Sequence, residues 1–313
     1  MSSVAVSTDL WRNDKLGESP ALYFPSEGFG ALYRRVMLND MLSTLVGYST
    51  IDTVAEFPMD PHGAPGAGSL IFSALGRTLS LVCDHADALD RARSLYEQRG
   101  FANVRYLCGP LDSTALADNE VDLSWSFDRL QATPDPAKTV AEIARVSKTT
   151  LIIVPNANNY GQYLHFLYHK WAKSACDYVG PRHWMRTATV GQALQAAGFE
   201  VLSTGIIDAP WWPGFPELPA LVKKALTGHG PNYSTSPSQS VQPDLIARLI
   251  RRAQRSDFIE CSALPDPVKL LFSHNLFVLA AKPAYRRLIG YTHPEPAWRA
   301  RRQASGPFLR LCA

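Results

Sequence analysis

IDTVAEFPMDPHGAPGAGSLIFSALGRTLSLVCD, residues 51–84, is the stretch that decides how this chain reads. Ile51–Phe57 has the composition of a strand, Pro58–Ser69 is a loop crowded with glycine and proline, Leu70–Leu75 starts a helix, and Leu79–Cys83 is a second strand closed by Asp84. Strand, loop, helix and strand in that order open an open α/β sheet, whose ligands sit outside the carboxyl ends of the strands near the point where strand order reverses. Glu56 and Asp84 each end a strand, so both are expected at that crevice. Gly63, Gly66 and Gly68 let the backbone turn tightly and approach a ligand that a Cβ would hold away. An acid ending the second strand of such a fold is placed to accept hydrogen bonds from ribose hydroxyls.

The pattern continues outward in both directions. Residues 1–30 mix Ser, Pro and Gly with Trp11, Tyr23, Phe24 and Phe29 and are expected to form an irregular arm over the mouth of the site. Gly30–Leu45 carries Leu32, Val36, Leu38, Leu42 and Leu45 close to helical period, which predicts a helix packed on the sheet. After Asp84, Ala88, Leu89, Ala92 and Leu95 share one helix face, and Gly100 is a helix stop. Strands follow at ANVRYLCG, Val121–Phe127, TTLIIVPNANNYG and FEVLSTGII, with helices through Val146 and over Arg186–Gly198 between them. Some sixty residues with two amphipathic helices, PELPALVKKAL and PDLIARLIRRAQ, joined by the Ser, Pro and Gly-rich linker Thr227–Gln242, then interrupt the sheet. HNLFVLAAKP is the seventh strand. The resulting division is an arm and capping helix at 1–45, a core at 46–210, a helical insertion or lid at 211–272, the last core strand at 273–283 and a basic tail at 284–313.

Residues 50–205 resemble a class I S-adenosylmethionine-dependent methyltransferase of the group that acts on quinones and small molecules. The resemblance is carried by the first loop, by VDLSWSF followed by DRLQATPDP, by the VPN ending of the fifth strand and by the helix, AGF, strand succession near 190–207. The chain departs from the family in three places: its loop is longer than acid-x-Gly-x-Gly-x-Gly, Pro110 stands where an acid is usual, and Gln131-Ala132 replaces a Glu-His pair. The resemblance implies an α/β, Rossmann-like sheet of seven strands, mostly parallel with the last antiparallel beside the sixth, and helices on both faces. It implies S-adenosyl-L-methionine as cofactor and methyl transfer to a small, aromatic or hydrophobic acceptor. The cofactor would be met by Glu56, Pro58, Asp60, Gly63, Gly66, Gly68, Asp84, His85, Leu111, Asp112, Ser126 and Phe127. The acceptor would be met by Asn156, Tyr160, Tyr168 and Trp184. His165, His169 and His183, in the aromatic-rich stretch 161–185, are the candidate general bases, since an imidazole titrates near neutrality.

Composition bounds the alternatives. At 313 residues, 46% hydrophobic and 19% charged, the chain can bury a substantial core. A formal charge of +3 is too mild to argue for nucleic acid. The longest apolar runs, LIIVP and LFVLAA, fall far short of the ~20 residues a membrane span requires, so no stable membrane insertion is expected. Five dispersed cysteines without a CxxC pair, and no signal peptide, suit a reducing cytoplasm. The sequence has no ligand constellation for a metal and no GxSxG elbow for a hydrolase. GAPGAG imitates only a fragment of a dinucleotide fingerprint. A second copy of the chain is a possible partner through the arginine-rich tail. The competing function is a methyltransferase fold kept as a non-catalytic binding or scaffold subunit, which the departures in the loop favour.

Overall fold

The computed structural model describes Leu22 and residues 29–47, 49–163, 180–209, 248, 259 and 264–289. The chain opens with α1 (Phe29–Gly47), β1 (Thr53–Glu56), α2 (Leu70–Ala74), β2 (Thr78–Cys83), α3 (Ala86–Gln98), β3 (Val104–Cys108) and β4 (Val121–Phe127). It continues with α4 (Pro136–Val146), β5 (Ser147–Pro155), α5 (Thr187–Ala196), β6 (Glu200–Ile207), α6 (Asp266–Phe272) and β7 (Asn275–Ala281). The strands form a seven-stranded sheet in the order β3-β2-β1-β4-β5-β7-β6. β1 to β5 pair in parallel, and β7 runs antiparallel between β5 and β6. The sequence placed β7 beside β6; the structure adds that it also pairs with β5 along its whole length, from Thr149↔Ala281 to Pro155↔Asn275.

Both faces of the sheet are covered, which is why its central strands read as nearly continuous apolar runs. Side chains alternate across each strand. Val54, Leu81, Leu123, Trp125, Ile153 and Phe277 therefore join one core, together with residues of α1, α2 and α3. Ala55, Val82, Ile152, Val154, Leu276 and Val278 join the other, with α4 and α5. Helix ends follow the local chemistry. Asp135 caps α4 by accepting from the Lys138 amide at 3.1 Å, with Pro136 next in the chain, where its missing N–H costs nothing. Gly100, after α3, has φ 74°, the left-handed geometry that glycine adopts without strain. Strand order reverses between β1 and β4, so the crevice outside their carboxyl ends is where the ligand of such a fold belongs.

Candidate functional site

Past Glu56 the chain stays in the sheet for three more residues. The Phe57 amide donates to Trp125 O and the Met59 amide to Val82 O, both at 2.8 Å, and the Ser126 hydroxyl donates to Pro58 O at 3.1 Å. The loop then folds back over the end of β1. Glu56 is buried beneath it, accepting from the Ser69 hydroxyl at 2.6 Å, while the Trp125 indole N–H donates to the same Ser69 oxygen at 2.8 Å. Burial pushes the Glu56 carboxyl up to about 7; Asp60 adds to this, and the Ser69 hydrogen bond and Arg35 oppose it.

The glycines of the loop have distinct jobs. At Gly68 a Cβ would lie 2.7 Å from Cη2 of Trp125, and at Gly66, with φ 70°, it would lie 2.9 Å from Leu81 Cδ1. Those two glycines are thus required by the chain's own packing. Gly63, with φ 59°, has open space where its Cβ would be. The loop is pinned by the Tyr96 hydroxyl, donating to Gly66 O at 2.8 Å, by Arg35 to Ala67 O at 3.0 Å and by Arg91 to Pro61 O at 2.7 Å.

Asp84 ends β2 and is half-buried. Its Oδ1 lies 3.3 Å from Arg129 and 3.7 Å from the His85 imidazole, and among the described residues these contacts do not engage Oδ2. Leu111 is buried at the loop after β3, whereas Asp112 is exposed. Phe127 closes β4 with Arg34 of α1 over its ring, 5.6 Å from the centroid. Asp60, in the loop after β1, raises the carboxyls of both Glu56 and Asp128.

A second polar cluster, absent from the sequence reading, occupies the same edge. Asp128 follows β4, Asp208 follows β6, and His274 and Asn275 open the antiparallel β7, which brings all four to the carboxyl side of the sheet. Asp208 Oδ2 accepts from Arg34 at 2.8 Å and lies 3.3 Å from His274 Nδ1. Asn275 Nδ2 donates to Asp128 Oδ1, and Gln131 Nε2 donates to Asp128 O at 2.8 Å. Burial pushes the Asp128 carboxyl up to about 7, with Asp60 and Asp208 adding and Arg34 and Asn275 opposing. For Asp208 burial also raises, but Arg34 and His274 outweigh it and its carboxyl falls below the ordinary value. The available signal was the recurrence of strand-then-acid at SFD and GIID, the pattern that singled out Asp84.

The acceptor-side candidates separate. Asn156 spends its amide on Leu270 O and Ser273 O at 2.7 and 2.8 Å and its oxygen on the Asn158 amide at 2.9 Å. It therefore ties β5 to the segment entering β7. Tyr160 stands edge-on to Phe272 at 5.6 Å. Trp184 is buried in the core shared with α4 and α5, and His183 beside it is exposed. His165, His169 and Tyr168 lie outside the described residues. Among the described residues no group of three or more His, Cys, Asp or Glu could hold a metal ion. Among them, too, no helix is long and apolar enough to cross a membrane.

An open sheet in this order, with an antiparallel seventh strand inserted between the fifth and sixth and an acid closing the second, defines the class I methyltransferase type of Rossmann-like fold. Residues 63–153, from the loop to near the end of β5, match the family model described as a methyltransferase domain. Comparison with curated proteins gives no match. Solved structures similar to the chain include the YcgJ protein from Bacillus subtilis, at 16% identity and TM-score 0.47 over 78% of this chain and 97% of that one. A SAM-dependent methyltransferase from Aquifex aeolicus matches at 20% identity and TM-score 0.42, over 56% of this chain and 87% of that one. A putative sarcosine dimethylglycine methyltransferase from Galdieria sulphuraria matches at 17% identity and TM-score 0.47, over 77% and 82%. These are distant likenesses, and the fold stands on the chain's own strand order.

The family's cofactor can be tested against the residues present. Its nucleoside end fits: Asp84 keeps an oxygen for ribose hydroxyls, Leu111 supplies an apolar surface, and the backbone at Gly63 is open to close approach. Glu56 accepts from Ser69 beneath the loop, and Asp60 lies in the loop itself.

Proposed function

We propose that the chain binds S-adenosyl-L-methionine across the carboxyl ends of β1, β2 and β4 and transfers its methyl group to a small aromatic or hydrophobic acceptor. The observation that carries this reading is Asp84, an incompletely engaged acid at the end of β2 in a sheet of methyltransferase order. The cofactor, when bound, supplies an electrophilic methyl group on a sulfonium. Asp84 accepts hydrogen bonds from the ribose, Leu111 packs on the base, and the loop at Gly63 approaches the methionyl end. Arg129 holds the Asp84 carboxylate in place from the turn after β4. The Asp60 and Asp128 carboxylates repel one another, which would favour a cation such as the sulfonium at that edge. Beyond this the protein's work is to align donor and acceptor and exclude water, and orientation of that kind accounts for ~7 to 11 kcal/mol of a barrier.

Isothermal titration of the pure chain with S-adenosylhomocysteine tests the reading. Saturable binding is expected, weakened at least tenfold by Asp84→Ala, with a circular dichroism spectrum like the parent's. No binding to the folded parent chain would leave the scaffold reading in its place.

A further inference from the structure

Asp128 and Asp208 are non-glycine residues with positive φ, 51° and 61°, and both are buried. Backbone strain of this kind persists where the surroundings over-determine it, and it gathers at functional sites. Each residue directly follows a strand, on the edge where ligands of open α/β sheets bind. His274 is 9% exposed. The Asp208 carboxylate can only accept, so its contact with Nδ1 calls for the ring proton there, and in the neutral ring Nε2 is then the acceptor nitrogen. Nε2 is buried and, among the described residues, has no hydrogen-bond partner. The two amides that bracket Asp128 repeat the situation, for Asn275 Oδ1 and Gln131 Oε1 are also buried and without a donor. Folded proteins rarely leave buried acceptors unmatched, and three at one sheet edge call for donors that the described residues do not supply.

We propose that these groups seat the methyl acceptor, and that His274, oriented by Asp208, takes the proton from a phenolic or enolic hydroxyl on it. The inference rests on the methyltransferase reading above and names the acceptor side of that site. As the O–H bond breaks toward Nε2, an oxygen electron pair forms the new O–CH3 bond. The pair of the S–CH3 bond stays on sulfur, leaving the thioether. A phenol suits the site better than an alkyl alcohol because an imidazole is too weak a base to draw a proton from so weak an acid. The oxygens of Asn275 and Gln131 accept from further hydroxyl or amino groups on the acceptor. Arg34 from α1 donates to Asp208, and the Asp128 carboxyl after β4 lies close enough to be raised by Asp208.

The test uses the full chain and 4-nitrophenol as probe, with and without S-adenosylhomocysteine. Nitrogen-15 spectra of the histidine rings, with the His274 signals identified by their loss in His274→Gln, are expected to show an unprotonated Nε2 that moves toward the protonated position as 4-nitrophenol is added. Absorbance titration is expected to show at least tenfold weaker phenol binding by His274→Gln, while its S-adenosylhomocysteine affinity stays within twofold of the parent. If that variant does not fold, Asp208→Asn, which removes the carboxylate from Nδ1, identifies the same signals by changing their tautomer. An Nε2 signal that stays put at the highest phenol concentration, or equal phenol affinity in His274→Gln, overturns the proposal. Failure to bind S-adenosylhomocysteine overturns the parent reading instead, since the phenol arm is read separately.

Discussion

Glu56 and Asp128 are carboxyls that folding drives toward the protonated form, each pushed up to about 7 first of all by burial. In the unfolded chain such groups ionise near pH 4, so between about pH 4.5 and 7 the folded chain holds protons that the unfolded chain has released. Stability contributed by protonation is therefore full below pH 4 and is lost as pH rises through 7. Replacing Glu56 by Gln, which still accepts from Ser69, should remove its share of that slope. Urea unfolding at pH 5 and pH 8 is expected to show the parent losing more stability than Glu56→Gln, by about 3 kcal/mol or less. An equal loss in both would show that Glu56 ionises normally. At this scale the sequence made Glu56 chemically conspicuous by its position after an apolar run. It could not show that the partner is Ser69, with Trp125 bonded behind it, because those contacts close only when the loop folds back on β4.

The loop over residues 58–69 is an element held by packing as much as by turn geometry. Gly68 lies against the face of Trp125, so Gly68→Ala should cost about 1 to 3 kcal/mol by overpacking. Trp125→Phe should cost a comparable amount, through lost volume and the lost bond to Ser69. Because the smaller ring makes room for the methyl group, the double variant should be less destabilised than the sum by at least about 0.5 kcal/mol, measured by denaturant unfolding. Strict additivity would mean that the two side chains do not meet. The extents of the elements were legible from periodicity to within a few residues: the predicted helix Gly30–Leu45 is Phe29–Gly47, and Leu70–Leu75 is Leu70–Ala74. The purpose of the glycines was not. Gly66 and Gly68 read as a cradle for a ligand, whereas Leu81, Tyr96 and Trp125 fill the space beside them.

Over the whole molecule, the carboxyl edge of the sheet gathers Glu56, Asp60, Asp84, Asp128 and Asp208, with Arg34, Arg35 and Arg129 among them. A sulfonium bound there favours the ionised form of carboxyls that otherwise titrate near 7, and its binding releases protons. Affinity for S-adenosylmethionine should accordingly rise from pH 6 to pH 8 relative to that for S-adenosylhomocysteine, which lacks the sulfonium charge, by up to about tenfold. A ratio independent of pH, measured calorimetrically, would remove these carboxyls from the cation's surroundings. The sequence alone determined the alternation of strand and helix and the acids that end β1 and β2, since each is written in local periodicity or in a contiguous motif, while the antiparallel last strand was expected only from the resemblance. Only the tertiary structure decided that Arg34 meets Asp208 across 174 positions and that Asn275 meets Asp128 across 147. Such contacts depend on which layers pack together and how β7 is threaded between β5 and β6, and no local pattern of residues carries that information.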